Sequence, residues 1–103
     1  MSNPHHVVIN TFTLKAGQAD AFVAAQQDGL AAMRGRIDGL LGSRMHRSLG
    51  DDTVVLVSVF ESTQAFDAFR DSELFAAHRQ RIAPFIERTS PAAFNTVYAY
   101  GTV

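Results

Sequence analysis

The nine residues Thr53–Glu61 (TVVLVSVFE) constrain the fold most, because they form the most hydrophobic strand-like segment of the chain. Their β-branched and aromatic side chains favour a strand, and Gly50–Asp51–Asp52 before them predicts a hairpin turn. Alternate side chains of a strand point to opposite faces. One face would carry Val54, Leu56, Ser58 and Phe60, and the other Val55, Val57 and Val59. Both faces are apolar, so both sides of this strand must be covered.

Three more segments are typical of strands, and each is rich in β-branched, aliphatic or aromatic residues. They are Val7–Leu14, Leu40–Leu49 and Ala93–Tyr100. Apolar residues at helical spacing predict a first helix over Gln18–Arg36, stopped by Gly39. On that stripe Gln26 is the one polar exception.

A second helical unit follows the third strand and is broken in two. Ser62 is a suitable N-cap for a short helix around Ala65–Phe69. A further helix begins at Asp71–Ser72 and continues to about Ile82, where Pro84 ends it.

The resulting order βαββαβ predicts one α+β domain over residues 1–103, folded as a ferredoxin-like sandwich. Right-handed crossovers place both helical units on the same face of a four-stranded antiparallel sheet. The helices leave the other apolar face open. A second copy of the chain packed sheet to sheet is the simplest cover, so we expect a homodimer through the sheet face.

Composition excludes several classes of function. Nine basic and ten acidic residues give a net charge of −1, which offers no general attraction for nucleic acid. The chain has no cysteine, so disulfides, thiolate nucleophiles and sulfur-ligated metals are excluded. No histidine or carboxylate spacing predicts a metal site, and no apolar run is long enough to span a membrane. We therefore expect a cytoplasmic protein without a metal or membrane partner.

Two polar residues occupy positions where apolar ones are usual. Asn10 lies in the middle of the first strand, and His78 lies on the helical stripe Leu74–His78–Ile82–Phe85. Each is either a buried side chain with a hydrogen-bond partner or a working group of a pocket. In a pocket, Asn10 would donate a hydrogen bond, and His78 would act as a base or ligate haem iron or another metal.

Aromatic residues are numerous for so small a domain, with eight Phe and two Tyr in the chain. Most must be core residues, but flat aromatic ligands favour pockets with such walls. The residues of the aromatic set and the His78 stripe that we expect to contact a substrate are Phe12, Phe60, Phe69 and Leu74.

Three sequence segments, taken in this order, resemble sequences of the antibiotic biosynthesis monooxygenase (ABM) family, and the resemblance covers nearly the whole chain. They are TLKAG at Thr13–Gly17, DGLLGSRMHRSL at Asp38–Leu49 and VFESTQAFDAF at Val59–Phe69. The last is similar to the family's W-E-S-x-x-A-F signature, with Phe60 in place of tryptophan. The resemblance implies a dimeric α+β barrel.

Two branches of that family imply different chemistry. The IsdG-like haem-degrading branch uses an asparagine, a tryptophan and a haem-ligating histidine, whose places are taken here by Asn10, Phe69 and His78. The cofactor-independent anthrone-type oxygenases use a pocket tryptophan and asparagine, which fall on Phe60 and Leu56. The resemblance therefore adds Leu56 to the residues that we expect to contact a substrate.

The resemblance and the residues together predict a cofactor-independent monooxygenase for a flat, hydrophobic phenol, quinol or anthrone-like substrate. In that reading His78 is the catalytic base and Asn10 stabilises the developing oxyanion. One alternative is haem binding or degradation with His78 as axial ligand. The other is a dimer that binds a small molecule without transforming it.

Overall fold

A computed structural model describes residues 5–102 of the chain. The predicted domain also includes residues 1–4 and 103, which lie outside the described residues. Four strands and three α-helices follow the order βαββααβ. The strands are β1 (His6–Leu14), β2 (Leu40–Arg47), β3 (Thr53–Phe60) and β4 (Ile86–Phe94). The helices are α1 (Ala19–Met33), α2 (Thr63–Arg70) and α3 (Glu73–Ile82), and α3 runs into a 3₁₀ turn at Ala83–Phe85.

The strands form one antiparallel sheet in the order β2-β3-β1-β4. With two helical units between strands, this is the predicted ferredoxin-like α+β fold. In the central pair, Asn10 lies opposite Leu56 and Phe12 lies opposite Val54. These side chains therefore share one face of the sheet.

The helices cover the sheet face that carries Val54 and Phe60. The buried core there joins both strand and helix residues: Phe12, Leu14, Ala19, Phe22, Val54 and Ile82. Phe12 and Phe22 meet with ring centroids 5.1 Å apart. Val55, Val57 and Val59 point to the other face, which no described helix covers.

Helix ends follow local sequence signals. The Ser62 hydroxyl accepts a hydrogen bond from Ala65 N at 3.1 Å and caps α2, as predicted. The first helix, however, ends at Met33, and the glycine just past its end is Gly35, with φ +77°. The prediction that it continues to Arg36 and is stopped by Gly39 was therefore wrong, because the nearer glycine already adopts the left-handed conformation.

The predicted fourth strand, Ala93–Tyr100, was also wrong. The strand is Ile86–Phe94, paired with β1 from Val7 to Leu14, and residues 95–100 are not in a strand. β4 is an edge strand, and an edge tolerates Pro91, which a central strand would exclude.

Among residues 5–102, no helix combines the length and the apolar character that crossing a membrane would require.

Candidate functional site

A cavity of about 740 Å³ lies between the sheet and the helices. Strands β1 and β3 form its floor with Asn10, Phe12, Leu56 and Phe60, and helices α2 and α3 form its wall with Phe69 and His78. Six of the seven residues expected at the site thus line one cavity. The exception is Leu74, which does not line it.

Phenylalanine rings form the apolar wall. Phe60 lies 5.3 Å from Phe66 and 5.9 Å from Phe69, and Phe69 lies 4.9 Å from Phe75, measured between ring centroids. All four rings line the cavity. Tilted and edge-on contacts of this kind fix the rings against each other, which leaves a stable surface for a flat apolar molecule.

The break between α2 and α3 holds part of this wall in place. The Ser72 hydroxyl donates a hydrogen bond to Phe69 O at 2.6 Å and accepts one from Phe75 N at 3.1 Å. One hydroxyl thus joins the last turn of α2 to the first turn of α3. Phe69 and Phe75, whose backbones this hydroxyl bonds, are also the pair whose rings contact each other in the cavity wall.

His78 is buried and bonded to a residue on another helix. Its Nε2 lies 2.5 Å from Oε1 of Gln26 on α1. An amide oxygen only accepts, so the imidazole is the donor and its Nε2 carries the hydrogen. Nδ1 then carries the lone pair, and this atom is buried without a hydrogen-bond partner in the described part of the chain.

Gly29 explains how the imidazole comes so close to α1. A Cβ on Gly29 would overlap the His78 ring at Nδ1 and Cε1. Glycine in a helix interior is unfavourable by about 1 kcal/mol relative to alanine, and here it provides the space for the ring. The Nδ1 lone pair consequently faces the α1 backbone.

The environment of His78 favours its neutral form. Burial lowers the pKa of the imidazole below its ordinary value of 6.5, and the positive charge of Arg81 lowers that pKa further. A neutral imidazole is the form that can accept a proton or bind a metal. Because Nε2 is bonded to Gln26 and Nδ1 faces Gly29, neither nitrogen has a free lone pair towards the cavity.

Asn10 is one of two polar residues of the cavity floor, the other being Ser58 on β3. Asn10 makes no side-chain hydrogen bond within residues 5–102, and its Oδ1 is buried without a partner. An unpaired amide at an apolar wall is costly unless something else binds it. The hydrogen-bonding capacity of this side chain is thus available to a ligand.

Sequence reasoning missed two groups of residues at this site. Gln26 was recognised as a polar exception on the α1 stripe but was not paired with His78, although both break apolar helical stripes. The second group consists of polar residues that line the cavity and are solvent-exposed: Arg70, Arg79, Arg88 and Thr89. Among residues 5–102, no group of three histidine, aspartate or glutamate side chains is placed to hold a metal ion.

Solved structures share this fold. A candidate antibiotic biosynthesis monooxygenase from Nitrosomonas europaea has a TM-score of 0.80 at 17% identity, and the match covers 98% of both chains. Another from Caulobacter crescentus has a TM-score of 0.81 at 16% identity over 92% of both chains. A third, from Chloroflexus aurantiacus, has a TM-score of 0.76 at 18% identity, covering 94% of this chain and 97% of the other. Identities this low establish the fold alone.

Among curated protein sequences, none matches this chain. The sequence model of one family does match it, over residues 5–81, which is most of the chain and includes β1, the three helices up to Arg81 and the aromatic wall. On that match the chain belongs to the antibiotic biosynthesis monooxygenase family.

Proposed function

We propose that this protein is a cofactor-independent monooxygenase that oxidises a flat, hydrophobic phenol, quinol or anthrone-like molecule. The observation that carries the proposal is the phenylalanine-walled cavity of about 740 Å³ with one unpaired amide, Asn10, in its floor. A tricyclic aromatic would fit within such a space, make apolar contacts with its wall and use the amide for orientation.

The reaction needs little from the protein. An anthrone loses a proton to give an enolate, which passes one electron to O₂. The resulting radical pair combines to a peroxide, and loss of water leaves the quinone, so that one oxygen atom enters the product and the other leaves as water. The protein has to orient the enolate, exclude water and stabilise the negative oxygen.

Asn10 is the residue that we assign to the negative oxygen. Its Nδ2 would donate the hydrogen bond, because the unpaired Oδ1 can only accept one. For His78 to act as the base, it would have to break its hydrogen bond to Gln26 and move its ring hydrogen from Nε2 to Nδ1, because Nε2 accepts a proton only when it carries the lone pair. The hydrogen bond between Gln26 and His78 would then control when the imidazole is available.

Oxygen uptake tests the proposal. With an anthrone as substrate and the spontaneous rate subtracted, the wild-type protein should consume one O₂ per quinone formed. Loss of one oxyanion donor typically lowers turnover by about 10²-fold, so we expect Asn10→Ala to do the same. Ser43→Ala, on exposed β2 and outside the cavity, is the control. Equal turnover by wild type and Asn10→Ala would refute the assignment.

The haem alternative has weaker support. Axial ligation needs a free imidazole nitrogen, and both nitrogens of His78 are turned to other groups. The residues present do not fit an axial haem without rearrangement of this pair. A haemin titration of the wild-type protein and of His78→Ala, followed in the Soret region, tests this alternative. Saturation at one haem per chain, with a shift of the Soret band that is lost in His78→Ala, would favour haem over the organic substrate.

A binding protein without catalysis is the remaining alternative. It would keep the same cavity and return its ligand unchanged. Product analysis after incubation with an anthrone and O₂ separates the two, since only the oxygenase accelerates quinone formation above the spontaneous rate.

A further inference from the structure

The charged residues of the chain are distributed unevenly about the cavity. Three of the nine basic residues line it, and none of the ten acidic residues does. These three are Arg70, Arg79 and Arg88, and all are solvent-exposed, so they lie where the cavity meets solvent and not in its floor. On a chain with a net charge of −1, this opening is a local region of positive charge.

Two of the three arginines have carboxylate neighbours. Arg70 forms ion pairs with Asp67 and Asp71, each at 3.3 Å, and the hydrogen bond that its Nε donates to Asp71 raises the pKa of Arg70. Arg88 lies 4.0 Å from Glu87. Exposed pairs of this kind are weak, but they offset the charge that a ligand would meet.

Arg79 differs, since it forms no ion pair with any residue in the range 5–102. Its guanidinium lies over the Phe75 ring, with the central carbon 5.8 Å from the ring centroid. Stacking on an aromatic face restricts the side chain while leaving its N–H groups available. The same ring forms part of the cavity wall. A guanidinium without a carboxylate partner in residues 5–102 therefore lies over Phe75, where the aromatic wall meets solvent.

We propose that the ligand of this cavity carries an anionic group, such as a carboxylate, which Arg79 binds at the opening while the aromatic body lies among the phenylalanines. This inference rests on the proposed function and narrows its substrate class to acidic aromatics. A planar guanidinium can hold a carboxylate through two parallel hydrogen bonds. The charge would also fix which end of a flat molecule enters first.

Two probes of nearly equal size test the role of the charge. Anthracene-2-carboxylate and anthracene-2-carboxamide share one flat tricyclic frame and differ in charge, and both are fluorescent. At about 50 mM salt we expect the carboxylate to bind about tenfold more tightly than the amide, which corresponds to about 1.4 kcal/mol. The preference should decrease as salt is raised, because the arginine is exposed.

Variants assign the preference to one residue. Arg79→Gln should abolish it while changing the affinity for the amide less than about twofold, and Arg79→Lys should keep part of it, since lysine retains charge without the planar fork. Arg36→Gln, which removes an exposed arginine outside the cavity, should leave both affinities unchanged. Because Arg79 is exposed, these variants should melt at the wild-type temperature.

The outcomes separate this inference from the proposed function. Equal affinity for the two probes, unaffected by Arg79→Gln, would overturn the anionic ligand and leave an aromatic cavity that can still serve the oxygenase. A preference that survives Arg79→Gln would overturn the assignment to Arg79. Failure of both probes to bind would overturn the inference together with the cavity on which the proposed function depends.

Discussion

Within residues 5–102, the buried polar side chains are Gln26 and His78, and they bind each other. Burial of a polar group is costly unless it is hydrogen-bonded, so each residue depends on the other. They are 52 positions apart in the sequence. The pairing ties α1 to α3 at the side of the cavity.

The first prediction at this scale concerns pH. The folded pKa of His78 is below the unfolded value of about 6.5, so the unfolded chain binds more protons as the pH falls through 6.5. The free energy of unfolding should therefore be highest above pH 6.5 and decrease below it. In His78→Gln this decrease should be smaller. Chemical denaturation from pH 8 to pH 5 measures both curves, and parallel curves would contradict the prediction.

The second prediction concerns the space that Gly29 provides. Gly29→Ala would gain about 1 kcal/mol from helix propensity, but the new methyl group overlaps the His78 ring, and overpacking costs about 1–3 kcal/mol. We expect a net loss of stability in thermal or urea melts. The double variant Gly29→Ala/His78→Ala should lose less than the sum of the two single losses.

A control separates overlap from a general effect of replacing glycine. At Gly50 no atom lies within 4 Å of an added Cβ, so Gly50→Ala should show no coupling to His78→Ala. If the effects of Gly29→Ala and His78→Ala on the free energy of unfolding were also additive, residue 29 and His78 would not compete for space.

At the scale of elements, the junction of α2 and α3 determines the shape of the aromatic wall. The hydroxyl of Ser72 makes two hydrogen bonds there, whereas that of Ser62 makes one, to Ala65 N. Loss of a serine cap typically costs about 1 kcal/mol.

Ser72→Ala should therefore destabilise the protein by about 1–2 kcal/mol, and by more than Ser62→Ala does. Because Phe69 and Phe75 contact each other across this junction, Ser72→Ala should also weaken binding of a flat aromatic probe. Urea melts and fluorescence titration of both variants measure these effects. Equal losses in the two variants would argue against a special role for the junction.

At the scale of the whole molecule, apolar surface remains uncovered in the single chain. Val55, Val57 and Val59 face away from the helices, and beyond β4 the side chains of Val97, Tyr98 and Tyr100 are at least 83% exposed. Exposed apolar surface of this extent is typical of an interface. We propose that a second copy covers it, as expected from the two-faced pattern of β3.

Light scattering at micromolar concentration should give twice the 11.2 kDa mass of the chain. Val57→Lys places a charge in the centre of the sheet face and should yield a folded monomer. Leu49→Lys is the control, because Leu49 is fully exposed in the turn between β2 and β3. A wild-type monomer would contradict the proposal.

The sequence alone determined the features that depend on neighbouring residues. Strand and helix periodicity predicted β1, β3 and the two-part second helical unit, because side-chain direction repeats locally. Ser62 was recognised as a cap because a cap acts within three residues. The ferredoxin-like order followed from these elements. Asn10 and Phe60 could be placed on the cavity side because alternate residues of a strand share one face. His78 could be placed there because residues on one apolar stripe of a helix face the same way.

Tertiary structure decided what depends on distant residues. The position of β4 is set by pairing with β1 at the sheet edge, where Pro91 is tolerated. The bond between Gln26 and His78 needs two helices that pack at Gly29. Arg79 reaches the cavity because α3 lies across the sheet, which no local pattern specifies. Contacts between residues far apart in the chain arise only when the elements pack together, so they could not be predicted from the spacing of residues along it.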